Sequence, residues 1–150
     1  DGEILGKHNG HIYFTIGQRK GLGIGARFSA EDKPWYVAKK DIKNNIVFVV
    51  QGEDHPALFS KTIIAKNINW INKKPKILPK KYYAKVRYRD KDKKCNIFSL
   101  DNNSYLIKFE SKQKAITTGQ SIVFYDKEGT CIGGGVISKR DIPFLGQNIE

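Results

Sequence analysis

The chain has 150 residues, 39% of them hydrophobic, and it carries 27 Lys plus Arg against 15 Asp plus Glu, a formal net charge of +12. That apolar content is enough for one ordinary hydrophobic core or two small ones, so the sequence predicts a folded chain. The positive charge favours a polyanionic partner, although a coding bias toward Lys and Asn would produce the same excess.

The first residues of the sequence and the length of its apolar stretches limit the class of protein further. The sequence contains no Met and begins with Asp1, which predicts a piece of a longer protein. No run of 18 apolar residues occurs, and the first twenty residues lack a basic start followed by an apolar stretch. The sequence therefore predicts neither a membrane span nor a signal peptide.

The first half of the chain predicts short strands and loops. Glycines between residues 17 and 25 indicate an irregular loop that displays Arg19 and Lys20, and their spacing matches neither a Walker loop nor a dinucleotide loop. With Gln18, these two residues are a candidate contact for RNA or a partner domain, and a purely structural loop stays equally open. Residues 34–38 and 46–50 predict a hairpin, and residues 62–71 predict one long bent strand.

The second half predicts a closed β-barrel. Residues 72–81 hold two Pro and five Lys without periodicity, which is typical of an exposed linker. After it, short strands are predicted at residues 82–89, 95–100, 105–109, 120–125 and 130–137, and barrel closure would remove their exposed edges. The predicted division is a central β domain over residues 1–73, a linker over 74–81 and a barrel over 82–150.

The predicted strand at residues 82–89 has one basic face. Side chains alternate across a strand, so one face carries Tyr83, Lys85, Arg87 and Arg89, and the packing face carries Tyr82, Ala84, Val86 and Tyr88. Cations on one face suit contact with phosphates, and an adjacent aromatic ring suits stacking on a base. From the residues alone, a solvated outer face of the barrel is an equal alternative.

No catalytic or metal site is predicted. Cys95 and Cys131 lack a CxxC partner and predict small buried side chains in a reducing compartment. His8, His11 and His55 lack the spacing and companion ligands of a metal site. The three consecutive glycines at residues 133–135 predict a strand with a bulge or a close backbone approach, a structural role.

A resemblance covers nearly the whole chain. Its motifs, in order, are Gly6-Lys7-His8-Asn9-Gly10, the TIGQRKGLGI run at residues 15–24, Pro34-Trp35-Tyr36-Val37, Asn69-Trp70-Ile71, Arg87-Tyr88-Arg89, Gly119-Gln120-Ser121 and Gly133-Gly134-Gly135. This ordered set resembles the bacterial tRNA-specific 2-thiouridylases, and the TIGQRKGLGI run is specific to them.

The resemblance implies a mainly β fold made of the family's small central β domain followed by a C-terminal closed β-barrel similar to domain 2 of translation elongation factors. It also implies a cytoplasmic enzyme that makes 2-thiouridine at the tRNA wobble position with ATP, Mg and a persulfide sulfur. The implied partners are tRNA, an N-terminal ATP-pyrophosphatase domain that precedes Asp1, and a sulfur-donor protein. That domain would hold the nucleotide loop and both catalytic cysteines, so this chain alone is expected to be inactive and to bind no cofactor.

For the candidate RNA-binding residues, the resemblance implies that Arg87, Tyr88 and Gln120 touch tRNA, and the basic strand face adds Lys85 and Arg89. It leaves open whether the loop at residues 15–25 faces the catalytic domain or the anticodon arm. Asp90 and Thr118 depart from the residues usual in the family, which puts the shapes of those two turns in doubt. The alternatives are a stand-alone RNA-binding barrel of the translation-factor kind and a domain whose charge serves only solubility.

Overall fold

The computed structural model describes residues 2–24, 33–71 and 80–149 of the chain, and β strands provide most of the regular structure in them. Eight strands occur in these residues: β1 (Trp35–Asp41), β2 (Ile46–Gln51), β3 (Phe59–Trp70), β4 (Lys80–Lys85), β5 (Lys93–Ser99), β6 (Ser104–Lys114), β7 (Ser121–Tyr125) and β8 (Cys131–Arg140). Single 3₁₀ turns lie at His11–Tyr13, Pro56–Leu58 and Pro143–Leu145. The predicted mainly β class is confirmed.

The first of two compact units, Asp1–Leu58, is built on the predicted hairpin. β1 and β2 pair antiparallel, and the register shifts between Val37 and Lys39, so Val37 and Ala38 are both buried. Asn45 turns the chain between the strands with a φ of 53°, a left-handed conformation that Asn tolerates. Preceding loop residues complete this small core, since Phe14 and Ile16 are also buried.

The second unit, Phe59–Glu150, contains a closed barrel with the strand order β3-β6-β5-β4-β7-β8. Every pair in it is antiparallel. Alternate side chains of the strands point inward, and the core they form includes Ile63, Ile97, Ile107, Phe109, Ile122 and Phe124. The predicted closed barrel is confirmed.

The division of the chain differs from the predicted one. β3 pairs with β6 on one side and with β8 on the other, so it is the strand that closes the barrel. The boundary therefore falls after Leu58, and the predicted domain of residues 1–73 ends too late. Most of the predicted linker lies outside the described residues, while Lys80 and Lys81 already belong to β4. The predicted bend in the long strand falls at Asn67, where φ is 54° and the pairing with β8 shifts register.

The three glycines of β8 allow it to approach its neighbours closely. A Cβ at Gly133 would lie 2.6 Å from the carbonyl oxygen of Asn69, and one at Gly134 would lie 2.8 Å from that of Ile122. At Gly135 it would lie 2.6 Å from the carbonyl oxygen of Lys66. These contacts confirm the close backbone approach predicted for the triplet.

Candidate nucleic-acid interface

Two connections meet at one end of the barrel, which we call the Gln120 end. Residues 86–92 join β4 to β5, and residues 115–120 join β6 to β7. Because Lys85 pairs with Val123 in antiparallel strands, the last residue of β4 lies beside the first residues of β7. The topology therefore brings together the two segments that carry Arg87 and Gln120, which are far apart in the sequence.

The predicted basic strand ends earlier than expected. Tyr82, Ala84 and Val86 are buried as predicted, but β4 stops at Lys85. A backbone hydrogen bond from the amide of Asp90 to the carbonyl of Arg87, 3.1 Å long, then closes a turn. β5 begins at Lys93, opposite Ala84, so β4 has no partner in β5 beyond that residue, and its pairing with β7 ends at Lys85.

This turn changes the predicted sides of three residues. Arg87 and Arg89 do not continue the face of Lys85, because strand alternation no longer applies beyond the end of β4. Tyr88 was predicted on the packing face, yet it is 97% exposed at the turn. The prediction of its burial is wrong, and the ring is accessible to a stacking partner.

Arg87 bonds to the other connection. Its Nη2 donates a hydrogen bond of 2.8 Å to the carbonyl oxygen of Ala115, the residue that follows β6. The hydroxyl of Thr117 lies 3.4 Å from the same oxygen. Ala115 has a φ of 54°, an uncommon backbone conformation for alanine, at the point where the chain leaves the strand. Arg87 therefore links the 86–92 connection to the 115–120 connection.

Gln120 is held at both its backbone and its side chain. The amide of Ile137 donates to the carbonyl of Gln120 at 2.9 Å, and the amide of Gly119 donates to the carbonyl of Ile137 at 2.8 Å. The side-chain Oε1 of Gln120 accepts a 3.2 Å hydrogen bond from the amide of Thr117. Its Nε2 donates to no residue that the structure describes, so the amide nitrogen is the end of this side chain left for a ligand.

The other two predicted cations differ in their surroundings. The Nζ of Lys85 lies 3.1 Å from Oδ1 of Asp92 and 5.3 Å from the ring centre of Tyr125. The hydrogen bond to Asp92 is the main reason that the pKa of Lys85 is raised, so this charge is balanced within the barrel wall. Arg89 is exposed and makes no ion pair or hydrogen bond to a described residue.

Further cations at the Gln120 end were missed from the sequence. Lys91 is exposed in the 86–92 connection. Lys112 and Lys114 are exposed near the end of β6, with buried Gln113 between them. The alternation of exposed and buried side chains from Lys112 to Lys114 is the sequence signal that could have found them. It was missed because this strand was predicted to end at Phe109. Together with Arg89, these lysines give the barrel end a positive surface.

Gln18 has a structural role in the first unit. Its Oε1 accepts from the amide of Thr15 at 2.9 Å, and its Nε2 donates to the carbonyl of Lys20 at 2.9 Å. Its backbone carbonyl accepts from the amide of Val37, so the loop is fixed to β1. Arg19 and Lys20 are exposed on this fixed loop, as predicted.

The two cysteines differ in burial, and only Cys95 is enclosed in the core. Cys95 is 1% exposed in the barrel core, and burial raises the pKa of its thiol to about 12. Cys131 is half-buried, and both cysteines are free. Within residues 2–24, 33–71 and 80–149, no three His, Cys, Asp or Glu side chains group as a metal site. The described part of the chain also contains no helix long and apolar enough to cross a membrane.

Comparison with known proteins defines the class first. Residues 1–51 match the family model of the tRNA methyl transferase PRC-barrel domain, and residues 60–137 match that of the aminomethyltransferase beta-barrel domain. The break between the two matches agrees with the division after Leu58. The chain is thus a two-part β module: the first unit matches the PRC-barrel family model, and the second unit contains a closed six-stranded barrel.

Individual relatives then specify the family. The tRNA-specific 2-thiouridylase MnmA of Stutzerimonas stutzeri (strain A1501) is 48% identical over 147 residues, which are 98% of this chain and 39% of that protein. The protein of the same name from Tolumonas auensis is 45% identical over 140 residues, 93% of this chain and 38% of that protein. A solved bacterial selenocysteine-specific elongation factor, EF-Sec, aligns with 64% of this chain and 15% of its own, at 21% identity and a TM-score of 0.41.

The chain belongs to the tRNA-specific 2-thiouridylase family. It spans about two fifths of the length of the curated relatives it matches.

Proposed function

We propose that this chain holds tRNA for a tRNA-specific 2-thiouridylase and that the Gln120 end of the barrel is the holding surface. The observation that carries the proposal is the hydrogen-bonded union of the Arg87 turn with the Gln120 turn, which gathers the candidate residues on one surface. Family membership supports tRNA as the ligand, since the relatives are named as tRNA-specific enzymes.

Each exposed group has a chemistry that suits RNA. Arg89 and Lys91 in the 86–92 connection and Lys112 near the end of β6 are exposed cations, which bind phosphates without selecting a sequence. The ring of Tyr88, almost fully exposed between two arginines, suits stacking on an unpaired base. The Nε2 of Gln120 donates a hydrogen bond to an acceptor on a sugar, a phosphate or a base edge.

The chemistry of thiolation belongs to the rest of the proposed enzyme. In that enzyme, ATP with Mg activates the C2 oxygen of the wobble uridine, and sulfur from a persulfide replaces that oxygen. An N-terminal ATP-pyrophosphatase domain and a sulfur-donor protein take part, in the cytoplasm. We assign this chain no catalytic residue and no cofactor. The raised pKa of the buried Cys95 thiol supports only the exclusion of that cysteine as a nucleophile.

The exposed pair Arg19 and Lys20 forms a second proposed contact. The loop is rigidly attached to β1, because the amide of Gly17 donates to the carbonyl of Val37 and the amide of Val37 donates to the carbonyl of Gln18. A fixed loop presents its cations at little entropic cost on binding. We assign them to the RNA or to the catalytic domain, and Gln18 to the support of the loop.

Binding of this chain to a wobble-uridine tRNA across a salt series tests the proposal. Affinity should fall as salt rises, and Arg87→Ala with Gln120→Ala should weaken binding by roughly ten- to a hundredfold, the loss of two hydrogen-bonding side chains. Lys127→Ala is the matched control, because this exposed lysine pairs with Glu128 in the turn at the opposite end of the barrel. Absence of tRNA affinity at low salt would overturn the proposal and leave docking to another domain as the role of the surface.

A further inference from the structure

A cavity of about 630 Å³ lies on the outer wall of the barrel, between β3, β8 and the connection from β5 to β6. Ala65 of β3 points into the core, so its neighbours Ile64 and Lys66 face outward. Lys66 pairs with Ser104 of β6, and Ile64 pairs with Lys139 of β8. Because the Cβ atoms of directly paired residues are about 4.5–5.5 Å apart, these pairs place two lysines and a serine around one concave surface.

Ser104 is the buried polar residue of this cavity. It is 8% exposed, and its hydroxyl makes no hydrogen bond to a residue that the structure describes. Its backbone is paired, since its amide donates to the carbonyl of Asp101 at 3.2 Å and its carbonyl accepts from the amide of Leu100 at 2.8 Å. A buried hydroxyl needs a hydrogen-bond partner. Because Ser104 lines the cavity, a ligand there is placed to supply that partner.

Two cations with free charges flank this hydroxyl. Lys66 and Lys139 are exposed, and neither makes an ion pair or a hydrogen bond within the described part of the chain. Lys85 differs from them, because Asp92 engages its charge. Two ammonium groups and one hydroxyl on the same surface are donors of the kind that bind phosphate oxygens.

An acidic side chain narrows the choice of ligand. The carboxylate of Asp101 also lines the cavity, and it pairs with neither lysine. It would repel a bare phosphate, but it can accept a hydrogen bond from a sugar hydroxyl beside a phosphate. Ile64 and Leu100 add an apolar surface for the carbon atoms of a sugar ring. Together these groups fit a ribose with its phosphate better than an inorganic anion.

We propose that this cavity, which we call the wall site, binds the ribose-phosphate backbone of RNA. Lys66, Lys139 and Ser104 bind a phosphate, and Asp101 accepts from the 2′-hydroxyl, so the site prefers RNA to DNA. The net charge of +12 favours a polyanion over a single nucleotide as the ligand. The wall site is a second contact for tRNA apart from the Gln120 end, and the inference therefore rests on the function proposed above.

The salt dependence of tRNA binding tests the phosphate contact. Each neutralised phosphate contributes roughly 0.7 to 0.9 to the slope of log K against log salt concentration. The double variant Lys66→Ala, Lys139→Ala should lower the slope by about that amount. The matched control is Lys43→Ala, Lys127→Ala, which removes two exposed lysines that do not line the cavity and should leave the slope unchanged. A wild-type slope in the Lys66→Ala, Lys139→Ala variant would overturn the inference.

NMR titration with short oligonucleotides tests the selectivity of the wall site. The amide signals of Lys66 and Ser104 report on this cavity and not on the Gln120 end. Tetrauridylate RNA should shift both signals at a roughly three- to tenfold lower concentration than its 2′-deoxy counterpart, as expected for one additional hydrogen bond. Asp101→Ala should reduce this ratio to about one. Equal midpoints for RNA and DNA in the wild-type chain contradict the inference, and so does a tetraglutamate peptide that shifts both signals as readily as RNA.

The two measurements separate the wall site from the proposed function. If the wild-type chain does not bind tRNA, the proposed function fails, while an RNA-selective shift at Ser104 still supports the wall site. If tRNA binds but tetrauridylate shifts neither amide signal, the proposed function stands and the wall site is refuted. Unfolding midpoints equal to that of the wild-type chain show that a variant loses RNA contacts and not folded protein.

Discussion

A methyl group added at Gly135 tests the packing that closes the barrel. A Cβ at this position would lie 2.5 Å from Cδ1 of Ile68 and 2.6 Å from the carbonyl oxygen of Lys66. The Ile68 side chain can rotate away, but the Lys66 carbonyl is part of the β3 backbone, which pairs with both β6 and β8. Because two strands must separate to admit the methyl group, we expect Gly135→Ala to lower the free energy of unfolding by about 2–3 kcal/mol.

Urea unfolding followed by the fluorescence of Trp70 measures this loss. Trp70 stacks on Phe124 with ring centres 5.9 Å apart, so it reports on the barrel core, and a Trp35→Phe background removes the signal of the first unit. Gly129→Ala is the control, because Gly129 has a φ of 83° and open space around it and should lose only about 1 kcal/mol from backbone strain. The reasoning is refuted if Gly135→Ala is as stable as Gly129→Ala.

Predictions on three further residues, Cys95, Asp141 and His55, complete the set. The Cys95 thiol, with a pKa of about 12, should react with a disulfide reagent at pH 8 only after unfolding, whereas Cys131 reacts in the native protein; two fast native thiols would contradict this. Because this pKa is raised from 9.0, the protonated thiol contributes fully to the free energy of unfolding below pH 9. That contribution is lost as pH rises toward 12, so the stability of Cys95→Ala should depend less on pH in this range. The buried Asp141 carboxylate accepts from the amides of Lys61 and Thr62, so Asp141→Ala should cost about 2–4 kcal/mol in urea unfolding, and Asp141→Asn, which keeps an acceptor, clearly less. Desolvation lowers the pKa of His55. The neutral imidazole therefore contributes to the stability of the fold above pH 6.5, and this contribution is lost as pH falls through the pKa of the folded state. An NMR titration midpoint at or above 6.5 would be inconsistent with that burial.

Local patterns predicted the parts of the fold that depend on local geometry. The buried face of β4 followed from the alternation of Tyr82, Ala84 and Val86. The β1–β2 hairpin followed from two β-branched runs with a polar turn between them. The close approach at residues 133–135 followed from glycine itself, since no other residue fits where a Cβ would meet a carbonyl oxygen. Each of these features is decided within a few residues of sequence.

Features decided by distant partners were not predictable in this way. β3 precedes the linker-like segment of Lys and Pro, yet its partners are β6 and β8, far along the chain. The end of β4 at Lys85 depends on where the paired parts of β5 and β7 end, which no pattern within residues 82–89 shows. The attachment of the Gln18 loop to β1 likewise depends on Val37, nineteen residues away, whose amide donates to the backbone carbonyl of Gln18.

Barrel closure explains why Arg87, Tyr88 and Arg89 lie in a connection and not on the face of a strand. Every barrel strand pairs on both sides, so the strands form the wall, and side chains at their ends are used to complete it. Lys85, the last residue of β4, illustrates this, since Asp92 and Tyr125 engage its charge. The exposed ring of Tyr88 and the exposed side chain of Arg89 lie beyond the end of β4, in the 86–92 connection. Beyond the last paired residue of β4, Arg87 bonds to the carbonyl of Ala115, while Tyr88 and Arg89 are exposed at the surface.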